Sequence, residues 1–207
     1  MKMYYPIMLD LLDKKVIVIG GGKVAERKVK GLREAGANVV IVAPEVTTAL
    51  RQLSEKAEIT WLKKPFSRED VEGALLVIAA TNKQEINEAV ARAVKPNQLL
   101  NVVDAPEKST FHVPAVMRRG KLSIAVSTGG ASPMLAKKIC KQISEIYGQE
   151  FETYIDFLYK CRQYIIETID DPIKKRQLLE AVAEESFRKS VDWERKLEEL
   201  LEKIIGK

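Results

Sequence analysis

An apolar strand that runs directly into three glycines restricts the fold of this chain more than any other feature of the sequence. Residues 16–19 are consecutive apolar residues, which is typical of a buried strand. Residues 24–35 are mostly helix formers, and Gly36 follows them where a helix C-terminal glycine is expected. The order strand, glycine turn, helix is the context of a nucleotide-binding turn in α/β proteins.

The turn itself fits the pattern G-x-G-x-x-A, with Gly20, Gly21 and Gly22 followed by Ala25. The first glycine of the pattern permits the turn, and the second glycine of the pattern lets the main chain approach a pyrophosphate. The small residue lets the helix pack closely on the strand. Free N–H groups at the helix start would bind the phosphates. The alternative is a tight turn with a purely structural role.

Further strands and helices alternate through about residue 103. Apolar runs at residues 39–42, 59–62, 75–80 and 99–103 predict strands, and residues 48–56 and 83–93 predict helices. Strands that are apolar on both faces belong to a parallel sheet covered on both sides. The sequence therefore predicts a Rossmann-like, doubly wound α/β domain over residues 1–113.

Two smaller regions follow. In residues 114–147 we expect a short helix at 115–119, a strand at 121–127, and a helix that begins at Ser132 and Pro133. This region is too small to fold alone, so it would extend the sheet or pair with a second chain. Residues 148–207 carry apolar stripes at helical spacing and predict a helical domain.

Composition narrows the function. The net charge is +5, with the basic excess before residue 148 and an acidic balance after it, which favours an anionic ligand. We find no apolar run of membrane-spanning length and no secretory signal. Two cysteines and one histidine argue against a disulfide framework and against a zinc site, and favour a cytoplasmic protein.

Ligands of open α/β sheets bind beyond the carboxyl ends of the strands. Pro44 and Glu45 follow the second predicted strand, and Glu45 is the candidate partner of a cofactor ribose. NAD is favoured over NADP because no Arg follows directly, Arg51 being the nearest. Thr81 and Asn82 follow the fourth strand.

Asp104 follows the fifth strand and is either a general base in the cleft or the cap of a turn.

Two further features are open to more than one interpretation. His112, the single histidine, is either a packed side chain or a group that contacts substrate. The loop at residues 127–133, rich in hydroxyls and glycines, either binds an anion or is a flexible turn before a helix.

Three motifs in order, at residues 20–28, 101–104 and 127–133, resemble the precorrin-2 dehydrogenase family, whose fold is also the N-terminal module of siroheme synthases. The opening residues 5–7 also fit, and the resemblance covers about residues 1–147. It implies the stand-alone form of the enzyme, NAD-dependent oxidation of precorrin-2 (a tetrapyrrole) to sirohydrochlorin, and a homodimer with the 114–147 region swapped or packed between protomers.

The resemblance also assigns residues. It implies a catalytic role for Asp104. It places Lys23, Val24, Pro44 and Glu45 at the family's cofactor contacts. With the glycine turn and the strand ends, the candidate cofactor contacts are Gly20, Gly21, Gly22, Lys23, Val24, Pro44, Glu45, Thr81 and Asn82. The candidate substrate contacts are Asn101, His112, Thr128 and Ser132.

Three other functions can be compared with the same sequence features. A bifunctional enzyme would also insert iron into sirohydrochlorin, and the lack of His and Cys clusters does not exclude it. A non-enzymatic NAD-binding regulatory module would need the glycine turn but neither Asp104 nor the 127–133 loop. Nucleic-acid binding is disfavoured because no helix-turn-helix, zinc-finger or RNP-type motif is present.

Overall fold

The computed structural model describes residues 4–206 and divides after residue 113 into two compact units. The first unit is built on a parallel sheet of five strands: β1 (Lys15–Ile19), β2 (Asn38–Val42), β3 (Thr60–Leu62), β4 (Leu76–Ala79) and β5 (Leu99–Val102). Their order in the sheet is β3-β2-β1-β4-β5, so the chain changes direction between β1 and β4. In such sheets this switch point opens the crevice in which ligands bind.

Three helices and two single turns connect these strands. The helices are α1 (Lys23–Glu34), α2 (Thr48–Glu55) and α3 (Gln84–Ala93), and the turns are 3-10 helices at Arg68–Val71 and Pro106–Lys108. Gly36 has a φ of +74° just after α1, as its expected role at the end of a helix requires.

Alternation along each strand builds a core on both faces of the sheet. Val16 and Val18 pack with Val29 of α1 on one face. Ile17 and Ile19 pack with Val90 of α3 on the other face. Both faces are therefore dry, which explains the continuous apolar runs and confirms the doubly wound α/β fold.

The chain after β5 turns back and satisfies the edge of the sheet with hydroxyl groups. Ser109 Oγ accepts from Val102 N at 2.9 Å, and Thr110 Oγ1 accepts from Leu100 N at 2.8 Å. Thr110 N also donates to Leu100 O at 2.8 Å. These contacts close the loop of residues 103–108 at its base, and that loop carries Asp104.

The second unit begins with an antiparallel hairpin of β6 (Ala115–Arg119) and β7 (Leu122–Val126). The short helix predicted at residues 115–119 is wrong: the tight turn at Gly120, with a φ of +52°, pairs this segment with β7 and overrides its helix-forming composition. The hairpin also forms a separate two-stranded sheet and does not extend the main one.

Helices complete the second unit. Helix α4 (Pro133–Ile146) packs on the hairpin, and α5 (Glu150–Thr168), α6 (Pro172–Ala183), α7 (Glu185–Arg188) and α8 (Trp193–Ile205) form the predicted helical region. Tyr154 and Phe187 are buried at its centre, and the Tyr154 hydroxyl donates to Val182 O at 2.6 Å. None of the helices within residues 4–206 is long and apolar enough to cross a membrane.

Both cysteines are buried and unpaired. Burial raises the pKa of the Cys161 thiol to about 11, which keeps it protonated and unreactive at neutral pH.

Candidate active site

The glycine turn joins β1 to α1 at the switch point. Gly20 has a φ of +118°, and a side chain there would collide with the carbonyl oxygen of Ala80, beyond the end of β4. A side chain at Gly21 would collide with the carbonyl oxygen of Glu45 and lie 2.7 Å from Val46 Cγ1. The first two glycines thus let the ends of three neighbouring strands pack together.

Gly22 is different, because nothing lies within 4 Å of the position its side chain would take. It is the N-cap of α1, and no side chain caps the helix there. Lys23 and Val24, the first residues of the helix, are both exposed. The uncapped N–H groups of this first turn face an open surface, and a pyrophosphate fits such a cradle.

The loop after β2 borders the turn. Thr47 N donates to Gly21 O at 2.9 Å, and the intervening Pro44 and Glu45 are exposed. Arg51 lies one turn inside α2, with its guanidinium 5.9 Å from the centre of the Trp61 ring. Glu45 is therefore an exposed carboxylate at the end of β2, where a cofactor ribose is expected.

The ends of β4 and β5 are joined through the side chain of Asn87, which the sequence patterns did not identify as a candidate site residue. Asn87 of α3 donates to Asp104 Oδ1 at 2.9 Å and to Thr81 O at 3.0 Å. Asp104 is exposed, and no main-chain amide of residues 4–206 donates to its carboxylate. The predicted alternative in which Asp104 caps its own turn is therefore not what the geometry shows.

Asn87 had one signal in the sequence. It is a polar residue next to the apolar stripe of α3, at a helix position that packs on the sheet. Asn82, by contrast, is an exposed residue of the loop before α3.

The other predicted residues of the first unit lie further along the chain. Asn101 is buried and its side chain donates to Phe111 O at 3.2 Å, so it holds the main chain together. His112 packs edge-on against the Tyr4 ring, with ring centres 4.5 Å apart. Its Nε2 is buried without a hydrogen-bond partner in the part of the chain that the structure describes.

Thr128 and Ser132 belong to the second unit and are linked to each other. Thr128 Oγ1 accepts from Ser132 N at 3.0 Å, and Ser132 Oγ accepts from Leu135 N at 3.2 Å as the N-cap of α4. Gly129 and Gly130 between them have positive φ. The loop is thus an ordered turn whose hydroxyl hydrogens remain available to an acceptor.

Among residues 4–206, no three His, Cys, Asp or Glu side chains are grouped so that they could hold a metal ion.

A parallel sheet with an uncapped glycine turn at its switch point, and a carboxylate at the end of the neighbouring strand, defines a Rossmann-type dinucleotide-binding protein. A family model described as "Putative NAD(P)-binding" matches residues 7–115. The precorrin-2 dehydrogenase of Priestia megaterium is 34% identical over 199 residues, which cover 96% of this chain and 98% of that protein. The chain belongs to the precorrin-2 dehydrogenase family, and the resemblance of its motifs is confirmed.

Other comparisons agree across the whole chain. Models described as "Sirohaem biosynthesis protein central" and "SirC C-terminal domain" match residues 119–145 and 151–197. A solved structure titled "SirC, precorrin-2 dehydrogenase" has a TM-score of 0.84 and 33% identity, covering 99% of this chain and all of that one. The siroheme synthase of Xylella fastidiosa is 44% identical over 147 residues, which are 69% of this chain but 30% of that protein.

Proposed function

We propose that this chain oxidises precorrin-2 to sirohydrochlorin with NAD, as a stand-alone precorrin-2 dehydrogenase. The observation that carries the proposal is Asp104, an exposed carboxylate held at the end of β5, one strand from the switch point. Relatives that match almost the full chain are named precorrin-2 dehydrogenases, which supports precorrin-2 as the substrate.

The chemistry asks two things of the protein. Oxidation removes one hydride and one proton from the macrocycle, and a new double bond forms between the atoms that lose them. When bound, the nicotinamide ring supplies the acceptor for the hydride. Asp104 takes the proton, because it is an ionisable group at the ligand-binding edge of the sheet.

The remaining residues bind and orient. The open cradle at Gly22 and the first turn of α1, with Lys23 and Val24, would hold the pyrophosphate. Thr81, Asn82 and Pro44 border the same edge. Asn101, His112, Thr128 and Ser132 are the proposed contacts for the substrate, a polyanion that suits the basic part of the chain.

We further propose NAD as the cofactor in place of NADP. Glu45 is exposed at the end of β2. There its carboxylate would accept hydrogen bonds from the ribose hydroxyls, and its negative charge would repel a 2′-phosphate. We expect kcat/KM to be at least tenfold higher with NAD, and Glu45→Gln to narrow that ratio. Steady-state rates with each cofactor measure both, and an equal preference in the unchanged protein would contradict the assignment.

The decisive assay is anaerobic turnover of precorrin-2, followed by NADH absorbance. We expect Asp104→Ala to bind NAD normally and to lose about 99% or more of kcat, as removal of a general base does. Near-normal turnover would remove Asp104 from the mechanism. NAD binding without NADH formation by the unchanged protein would instead favour a regulatory module.

A separate arm tests the bifunctional alternative. Sirohydrochlorin is incubated with ferrous or cobaltous ion in the absence of NAD, and metal insertion is followed by the change in its absorption spectrum. We expect no acceleration over the reaction without protein.

We also propose that the protein is a cytoplasmic homodimer. Its two free, buried thiols suit a reducing compartment. Val116, Met134 and Ile146 are exposed apolar side chains of residues 114–147, which supports packing of this region against a second copy.

A further inference from the structure

We propose that Asn87 is a positioning residue of the reaction: its buried side-chain amide fixes the Asp104 carboxylate and ties it to Thr81 at the end of the neighbouring strand. This inference rests on the proposed role of Asp104 as proton acceptor. Asn87 itself is not proposed to contact substrate or cofactor.

The orientation of the amide is determined by its neighbours. Asn87 Oδ1 accepts from Thr81 N at 3.3 Å, and a main-chain N–H can only donate. Its Nδ2 must therefore face the two acceptors, Asp104 Oδ1 at 2.9 Å and Thr81 O at 3.0 Å. The Thr81 hydroxyl lies 2.9 Å from Asn87 Oδ1 and completes the set.

Burial makes this arrangement costly to lose. Asn87 is 1% exposed, on the face of α3 that packs against the sheet. Both of its N–H hydrogens and its oxygen are used by Thr81 and Asp104, so no polar group of the amide is left unsatisfied. A buried amide whose donors and acceptor are all hydrogen-bonded has a single low-energy orientation.

The same contacts determine which oxygen of Asp104 can react. Oδ1 is held by Asn87, whereas Oδ2 has no hydrogen-bond partner within residues 4–206. The loop of Asp104 is closed at its base by Ser109 on Val102. Asn87 thus limits rotation of the carboxylate and leaves Oδ2 as the atom that receives the proton. Small misplacements of a reacting group are expensive, on the order of 100-fold in rate.

The test compares Asn87→Ala with Gln98→Ala. Gln98 is a matched control, since it is a buried side-chain amide of the same unit that donates to Val71 O and Ala74 O, both at 2.7 Å. It directly precedes β5 and so lies at the opposite end of that strand from Asp104. We expect Asn87→Ala to lower kcat about 10- to 100-fold, with KM for precorrin-2 and Kd for NAD changed less than threefold. Gln98→Ala should lose similar thermal stability but keep kcat within twofold.

A double-mutant cycle with Asp104→Ala separates positioning from general damage. If Asn87 acts through Asp104, its replacement should cost less than threefold in the residual turnover of the Asp104→Ala protein. An equal loss in both backgrounds, or an unchanged kcat in Asn87→Ala alone, overturns the inference. Full activity of Asp104→Ala would instead refute the proposed function.

Should Asn87→Ala not fold, Asn87→Asp replaces it. That variant keeps the size of the side chain and an oxygen for Thr81 N, but loses both N–H donors and places a second carboxylate beside Asp104. We expect kcat to fall at least tenfold, and normal kcat in this variant would equally overturn the inference.

Discussion

Gly21 and Gly22 are neighbours in one turn, yet the chain needs a glycine at each position for a different reason. At Gly21 the main chain of Glu45 occupies the space a side chain would take, so the requirement comes from folding. At Gly22 that space is open, so packing does not require a glycine there, and we expect the requirement to come from the proposed cofactor. The sequence has the same residue at both positions, and only the packing around each one separates the two requirements.

This difference gives a prediction for single alanine substitutions. Gly21→Ala should lower the free energy of unfolding by about 1–3 kcal/mol, since it forces the loop of residues 45–46 to move. Gly22→Ala should leave stability within about 0.5 kcal/mol but weaken NAD binding at least tenfold. Urea denaturation and calorimetric titration measure the two quantities.

Gly31→Ala is the control, because Gly31 lies inside α1 with nothing within 4 Å of the added carbon. It should raise stability by about 0.5–1 kcal/mol and leave NAD binding unchanged. Normal NAD affinity in Gly22→Ala would show that the cofactor does not approach the turn there.

The candidate residues at strand ends were predictable because a parallel sheet brings all carboxyl ends to one edge. Glu45, Thr81 and Asp104 were all placed at this edge by that rule. Asn87 was not, since a polar residue beside the apolar stripe of a helix has no assigned partner until the register of helix and sheet is known.

At the scale of single helices and strands, the sequence predicted the features that are stabilised by residues close together in the chain. The N-cap of α4 by Ser132, with Pro133 following it, was visible in the sequence. Residues 115–119 were predicted wrongly, because their strand exists only through pairing with β7, a partner that helix propensity does not consider.

The 3-10 turn at Arg68–Val71 is capped by the carboxylate of Asp70. Because this cap is ionisable, its contribution to the free energy of unfolding depends on pH. Asp70 accepts from Ser67 N at 2.8 Å and pairs with Lys64 at 2.6 Å. Burial acts to raise the pKa of Asp70, but the Lys64 and Ser67 contacts outweigh it and the pKa is lowered. A carboxyl with a lowered pKa stabilises the fold above its unfolded pKa, and that stability is lost as the pH falls through the folded value.

We therefore expect Asp70→Asn to cost about 1–2 kcal/mol at pH 7 and almost nothing at the acid end of the folded range. Urea denaturation at several pH values measures the difference. Glu72→Gln, at an exposed carboxyl next to the same turn, should have no effect at any of them. A cost for Asp70→Asn that does not change with pH would contradict the role of its charge.

At the scale of the whole molecule, the proposed dimer makes a prediction about residues 114–147. Several apolar side chains there are exposed in the single chain, among them Val116, Met134 and Ile146. Light scattering should give a mass near twice 23.3 kDa. Val116→Lys should shift the protein toward monomer, since a charge would have to be buried at the interface.

Ile173→Lys is the control, because Ile173 is also an exposed apolar residue but lies on α6, outside the proposed interface. It should leave the mass unchanged. A monomeric unchanged protein would contradict the proposed dimer, and a dimer unaffected by Val116→Lys would place the interface outside residues 114–147.

The hydroxyls of Ser109 and Thr110 have a consequence beyond the loop they close. They occupy hydrogen-bonding groups of β5 that would otherwise be open to a strand from another molecule. At the opposite edge, β3 is only three residues long. A sheet with one border covered by its own chain and a three-residue strand at the other offers little main chain for a foreign strand to pair with. We expect such a domain to tolerate a neighbouring domain in the same chain, because its borders do not pair with that neighbour's strands.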